Sequence, residues 1–157
     1  MSMTDKPARF IAKILPAAQE CQRLTGIPAS FTLAQAALES TWGDRAPGCN
    51  LFGIKPGPKW KGAVTLVNTH EFIGGKYVAV VAQFRAYRNY DECLADRAAF
   101  FRDNPRYAAC FKEATGPGWA RAAAKAGYAT DPQYAAKLIA VMNGRKLTQY
   151  DYPEKKA

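Results

Sequence analysis

Two carboxylates, a thiol and an imidazole are the side chains of this 157-residue chain whose types and spacing could do chemistry. The first carboxylate is Glu39, in the run Phe31-Thr-Leu-Ala-Gln-Ala-Ala-Leu-Glu-Ser-Thr-Trp-Gly43. A carboxyl that keeps its proton near neutral pH can serve as a general acid. Glu39 is expected to be such a group. It falls at the C-terminal end of a helix, where the macrodipole disfavours negative charge, and partial burial beside Trp42 acts in the same direction. A solvated helix glutamate is the plain alternative. The second carboxylate, Glu71, stands near the tip of a β-hairpin, from which it can reach over a cleft. The thiol and imidazole are Cys49 and the single histidine, His70; together they would make a nucleophile–base pair.

The element carrying Glu39 is read from spacing. Phe31, Ala34 and Leu38 recur at i, i+3 and i+7, which predicts an amphipathic helix opened by Pro28 and closed near Gly43. Thr32, Gln35 and Glu39 form a second line beside the apolar one, so Gln35 and Glu39 are expected to project together. Upstream, residues 5–14 read as a short helical lead-in, and Pro16 as the first turn of a separate helix over 16–25 ending at Gly26.

Residues 44–62 are loop-like, punctuated by Pro47, Gly48, Pro56, Gly57, Pro58 and Gly62. They nevertheless hold Leu51, Phe52, Ile54 and Trp60, which either plug the loop onto the core or line a groove. Flat aromatic faces bind sugars, although packing is the more ordinary role for Phe52. Two alternating stretches, 63–73 and 76–85, flank Gly74-Gly75 and predict a hairpin with Thr65, Val67, Thr69 and Glu71 on one face.

Helices are then expected over 91–103, from Pro105, over 119–126 after the breaker Gly116-Pro-Gly118, and from Thr130-Asp131-Pro132 to Gly144. The tail from Tyr150 has no periodicity and is expected to fray. The pattern is α+β: one mostly helical domain with one hairpin, divided as a lead-in (1–9), a catalytic domain (10–147) and a tail (148–157).

Composition narrows the function classes. No stretch reaches the roughly 18 apolar residues of a membrane span. Residues 1–9 lack the apolar run of a secretory signal, so export is expected to use another route or a trimmed signal. The net charge of +9 attracts polyanions, acidic wall polymers among them, yet the basic residues are scattered and no nucleic-acid signature appears. Cys21, Cys49, Cys93 and Cys110 have no zinc-type spacing. They are expected to be free thiols, with Cys21, Cys93 and Cys110 at core positions and disulfides reserved for an oxidising compartment. No metal or cofactor is expected, and a monomer is.

Six ordered blocks carry a resemblance: Ala36-Ala-Leu-Glu-Ser-Thr-Trp-Gly43, Asn50-Leu-Phe-Gly-Ile-Lys55, Trp60-Lys-Gly62, Thr69-His-Glu-Phe72, Phe84-Arg-Ala-Tyr87 and Ala126-Gly-Tyr-Ala-Thr-Asp-Pro132. From about Phe10 to Leu147 the chain resembles the glucosaminidase family of peptidoglycan hydrolases (glycoside hydrolase family 73), found in flagellar rod-cap proteins and autolysins. The resemblance implies a lysozyme-like fold with the hairpin flanking the cleft. It also implies hydrolysis of the β-1,4 bond between N-acetylglucosamine and N-acetylmuramic acid in the glycan strand.

Under the resemblance, Glu39 matches the general acid, Glu71 the second carboxylate, and Tyr128 a cleft tyrosine. Gln35, Trp42, Asn50, Phe52, Trp60 and Asp131 are the expected substrate-binding residues. Thr41 departs from the family's usual glycine or asparagine. Rod-cap relatives also carry an assembly domain not present in these residues, so a phage lysin, secreted effector or stand-alone enzyme at the cell wall or periplasm is the favoured setting. Two alternatives stand beside this reading: a cysteine-dependent wall amidase or peptidase using Cys49 and His70, and a wall-binding module without chemistry.

Overall fold

The computed structural model describes residues 5–152. Helix α1 (Lys6–Thr25) is capped by the Asp5 side chain, which accepts from the Ala8 N–H. Two helices were expected here, and one runs straight through Pro16. The proline ring faces solvent, while Ile11, Ile14 and Ala18 are buried on either side of it. Packing of that face offsets the lost backbone bond. The division expected at residues 9 and 10 therefore falls inside a helix.

Helix α2 (Ala29–Ser40) carries Glu39 near its end. It is not the one-sided helix that the spacing predicts: every residue from Ala29 to Ala37 is buried. Its small side chains let α1 lie on one flank, with helices α4 (Gly116–Lys125) and α5 (Tyr134–Gly144) on others. A helix surrounded in this way has no solvent face to show in a sequence pattern. Only Leu38 and Glu39, in the last turn, are partly open.

The breaker at Gly116-Pro-Gly118 is instead the first turn of α4, capped by Thr115, whose hydroxyl accepts from the Gly118 N–H. Gly116 is required by proximity, because a Cβ there would come 2.1 Å from Ser30 Oγ on α2. Helix α5 begins later than Thr130, at Tyr134. Asp131 shapes the turn before it, accepting from the Gln133 N–H at 2.8 Å and pairing with Lys137 at 2.6 Å. The tail is docked as far as it is described. A 3-10 helix (Leu147–Tyr150) leads to Asp151, whose carboxylate accepts from the Ser30 N–H at 2.7 Å and hydroxyl at 2.6 Å. The remainder, 153–157, lies outside the described residues.

Helix α3 (Tyr90–Asp103), capped by Asn89, and a 3-10 helix (Pro105–Lys112) complete the helical body. Its centre is aromatic: Phe31, Phe101 and Trp119 are fully buried and meet with ring centroids 5.5–5.9 Å apart. Strands β1 (Val64–Ile73) and β2 (Lys76–Arg85) form the expected antiparallel hairpin, in register from Val64↔Arg85 to Ile73↔Lys76. Gly74 and Gly75 both have positive φ, as its two-residue turn requires.

The hairpin is anchored at its base. Asn50 Nδ2 donates to the carbonyls of Ile54 and Arg85, each at 2.9 Å, and Arg85 pairs with Asp96 on α3 at 3.0 Å. All four cysteines are free, and Cys21, Cys93 and Cys110 are buried as expected.

Candidate active site

Glu39 emerges where α2 ends against the groove between helical body and hairpin. Two cavities meet at it. One, of about 480 Å³, lies between the 52–55 loop and Phe100, Tyr107, Tyr128 and Thr130. The other, of about 280 Å³, lies between that loop and the hairpin residues Val67, Thr69 and Phe84. Glu39 and Gly53 line both, so the carboxylate stands at the junction of one continuous groove.

Burial pushes the Glu39 carboxyl above the ordinary carboxylate range, and a hydrogen bond donated by Tyr134 Oη to Oε1 at 2.9 Å partly opposes it. The expected direction is correct, but the expected neighbour is not. Trp42 lines neither cavity; its ring packs edge-on against Phe10 at 6.2 Å and beneath Arg145 at 5.7 Å. Trp42 is thus a strut for the helix exit, not a substrate platform. On the groove side, Phe52 and Tyr128 line the larger cavity together with Glu39.

Thr41 stands at a position whose backbone conformation favours the glycine or asparagine expected there. It sits at φ 52°, ψ 58°, the left-handed conformation that terminates α2, with its N–H donating to the Ala37 carbonyl. A β-branched residue there costs about 1–2 kcal/mol, against about 0.5–1 kcal/mol of extra chain entropy for glycine. Thr41→Gly is therefore expected to stabilise the fold by about 0.5–1 kcal/mol in urea denaturation, with activity retained.

The other expected site residues divide. Tyr128 lines the larger cavity, its ring stacked between Phe101 and Tyr134, both at 5.7 Å. Phe52 forms the floor of the same cavity over Arg97, 4.6 Å below. Glu71 lines neither cavity, but Lys55 does, and its Nζ lies 3.5 Å from Glu71 Oε1. Thr69, two residues along the same hairpin face, lines the smaller cavity. Glu71 thus extends the groove wall, 43% exposed and tethered to the rim.

Gln35, Trp60 and Asp131 are corrected alongside Trp42, whereas Asn50 does stand at the groove. Gln35 does not share the groove with Glu39; it is fully buried, bonded to Tyr134 and Arg97. Asn50 borders the smaller cavity, but its amide is spent on the loop, with Oδ1 accepting from the N–H groups of Phe52 and Ile54 at 3.2 Å. Trp60 seals the hairpin base: Nε1 donates to the Ala63 carbonyl at 2.9 Å, and Arg85 lies over the ring at 4.6 Å. Asp131 is occupied by Lys137 and its own turn, and only its neighbour Thr130 reaches the cavity.

Cys49 and His70 form no pair. Cys49 closes the 3-10 helix Pro47–Cys49, which meets β1 at Thr65. His70 lies five residues further along that strand, about 16 Å at the usual rise, on the opposite face from Thr69. Among the described residues no cluster of three or more His, Cys, Asp or Glu side chains could hold a metal ion.

Three contributors escape the sequence reading. Tyr134 lies buried on α5, where a phenol needs a hydroxyl partner and finds Glu39. Arg97 lies fully buried on α3, three residues after Leu94 on its inward line, where a charge among apolar residues is the available signal. Arg45, next to the α2 exit, brings a cation to the smaller cavity.

Comparison with known proteins places this geometry. The family model described as mannosyl-glycoprotein endo-beta-N-acetylglucosaminidase, named Glucosaminidase, matches residues 15–147. The peptidoglycan hydrolase FlgJ of Escherichia coli K12 is 42% identical over 144 residues, 87% of this chain and 46% of that protein. The chain spans less than half the length of such curated relatives. A C-terminally truncated glycoside hydrolase domain of Salmonella typhimurium FlgJ superposes with a TM-score of 0.77 at 42% identity, covering 90% of this chain and 98% of that one. The catalytic domain of the Listeria monocytogenes autolysin Auto gives 0.81 at 32% identity, covering 96% and 90%. In sequence and in its lysozyme-like α+β architecture alike, this chain belongs to the glucosaminidase family.

Proposed function

We propose that this chain is the catalytic unit, about residues 10–147, of a peptidoglycan hydrolase. It is read as an endo-β-N-acetylglucosaminidase that cleaves the β-1,4 bond between N-acetylglucosamine and N-acetylmuramic acid at the cell wall. The observation that carries this reading is Glu39 itself, a carboxyl with a burial-raised proton affinity at the junction of two cavities. A groove that continues to both sides of an acid accepts the middle of a polymer. The relatives, peptidoglycan hydrolases and autolysins, point to the same substrate.

In this reading Glu39 gives its proton to the glycosidic oxygen as the bond to the departing sugar breaks. Negative charge must meet the oxocarbenium-like centre, and Glu71, held at the rim by Lys55, supplies it from the hairpin. Burial raises the Tyr128 phenol and keeps it protonated, so it is a donor able to orient the substrate's acetamido group. The net charge of +9 favours approach to an anionic wall.

The test is mass spectrometry of purified peptidoglycan digested with this chain. Products ending in a reducing N-acetylglucosamine are expected. Products ending in reducing N-acetylmuramic acid would replace the bond assignment, and release of amino groups without reducing sugars would discard the glycosidase reading.

A further inference from the structure

We propose that Arg97, which does not touch the groove, fixes the direction of a hydrogen-bond relay, Arg97→Gln35→Tyr134→Glu39, and so dictates which oxygen of Glu39 carries the proton. The inference rests on the reading of Glu39 as the acid, and it adds a positioning residue behind it.

The relay's direction follows from what each group can do. A guanidinium only donates. Arg97 Nη1 lies 2.8 Å from Gln35 Oε1, while Nη2 donates to Thr32 Oγ1. The Gln35 carbonyl oxygen must therefore face Arg97, which turns its NH₂ toward Tyr134, with Nε2 at 3.0 Å from Oη. An amide orientation is normally ambiguous, but a donor-only neighbour settles it. The Tyr134 hydroxyl then accepts from Gln35, and its one proton is left for Glu39 Oε1 at 2.9 Å. That line cannot hold two protons. The acidic proton of Glu39 is thus carried on Oε2, the oxygen that takes no hydrogen bond among the described residues and is left to the groove.

The buried setting makes this arrangement firm. Thr32, Gln35 and Arg97 are fully buried and Tyr134 nearly so, so each hydrogen bond of the relay is strengthened by its low-dielectric surroundings. Arg97 is held between the rings of Phe52 at 4.6 Å, Phe101 at 5.3 Å and Phe31 at 5.5 Å, so its fork keeps one orientation. No carboxylate pairs with it among the described residues, and its hydrogen-bond partners there are the two α2 side chains, Gln35 and Thr32.

The relay is read out by the titration of Glu39. The charged or titratable groups that share the groove with Glu39 are Arg45, Lys55, Tyr107 and Tyr128, with Glu71 behind Lys55. The donor to the carboxylate is none of these but Tyr134, behind the groove, and its hydrogen bond lowers the Glu39 value against the effect of burial. Carbon-detected NMR of the Glu39 carboxyl, with no substrate present, gives its midpoint in the wild type, Tyr134→Phe, Arg97→Met and the double variant. Both single variants are expected to move the midpoint up, and the double variant to match Tyr134→Phe. The alkaline limb of the pH–activity profile is expected to follow the same order.

An Arg97→Met midpoint at the wild-type value would overturn the proposal. So would a shift that persists in the Tyr134→Phe background, because plain loss of positive charge acts through space and needs no relay. If Arg97→Met does not fold, neutron diffraction of the wild type decides. The Tyr134 deuteron is expected on the line to Glu39 Oε1, and one pointing to Gln35 would refute the relay. Full activity in Glu39→Gln, by contrast, would sink the acid reading and leave the titration result standing.

Discussion

Glu39→Gln is expected to lower kcat/KM on purified peptidoglycan by about 10²–10⁴-fold, the usual contribution of a positioned general acid. That loss corresponds to about 3–5 kcal/mol of transition-state stabilisation. The amide keeps the size of the carboxyl and can still accept from Tyr134, so the groove is expected to be unchanged. Stability is expected to move the other way. Because burial raises the folded-state pKa of Glu39, the fold holds that proton more tightly than the unfolded chain does. Its stabilising contribution is complete below the unfolded value of about 4.3 and is lost as pH rises through the folded value. Above the folded value the ionised group therefore costs stability, and there Glu39→Gln is expected to be the more stable protein, with its advantage vanishing below about pH 4. Reducing-end release and urea denaturation at the two pH values measure both effects. A loss under about tenfold, or a destabilised Gln variant, would contradict the role assigned to Glu39.

The largest effect on the fold is expected from Phe101→Ala, at about 3–5 kcal/mol of destabilisation. Phe101 is fully buried, and its ring meets those of Phe31, Phe100, Tyr107, Trp119 and Tyr128. It also lies beneath the Arg97 guanidinium at 5.3 Å. Truncation would leave a cavity under the Tyr128 ring and loosen the support of Arg97. For a domain of this size the melting temperature should fall by on the order of 10 °C. Activity is expected to fall at temperatures where the variant is still folded, since Tyr128 loses the face it stacks on. A melting temperature within a degree or two of the wild type would show that the aromatic centre is not what holds the groove.

The fold was legible where local chemistry speaks. Gly74-Gly75 between two alternating runs gives the hairpin and its register, because side-chain alternation and turn geometry act within a few residues. It was illegible where distant packing decides. Pro16 is tolerated inside α1 by burial on both sides of it, and Gly116 opens α4 because Ser30 of α2 stands against it. The acid was visible as a glutamate at a helix end. Its surroundings were not, since Tyr134 reaches Glu39 across 95 residues and Arg97 reaches Gln35 across 62. Trp42 and Asp131 are expected at the groove from the resemblance, and a matching motif does not say which way a left-handed exit or a turn directs a side chain.

The central claim is that Glu39 works in its protonated form, and the pH dependence of kcat/KM on soluble glycan fragments tests it most directly. An alkaline limb above the ordinary glutamate value of about 4.3, moving up further in Tyr134→Phe, is the expected result. A profile with no alkaline limb, the rate holding or still rising with pH well above that value, would contradict it.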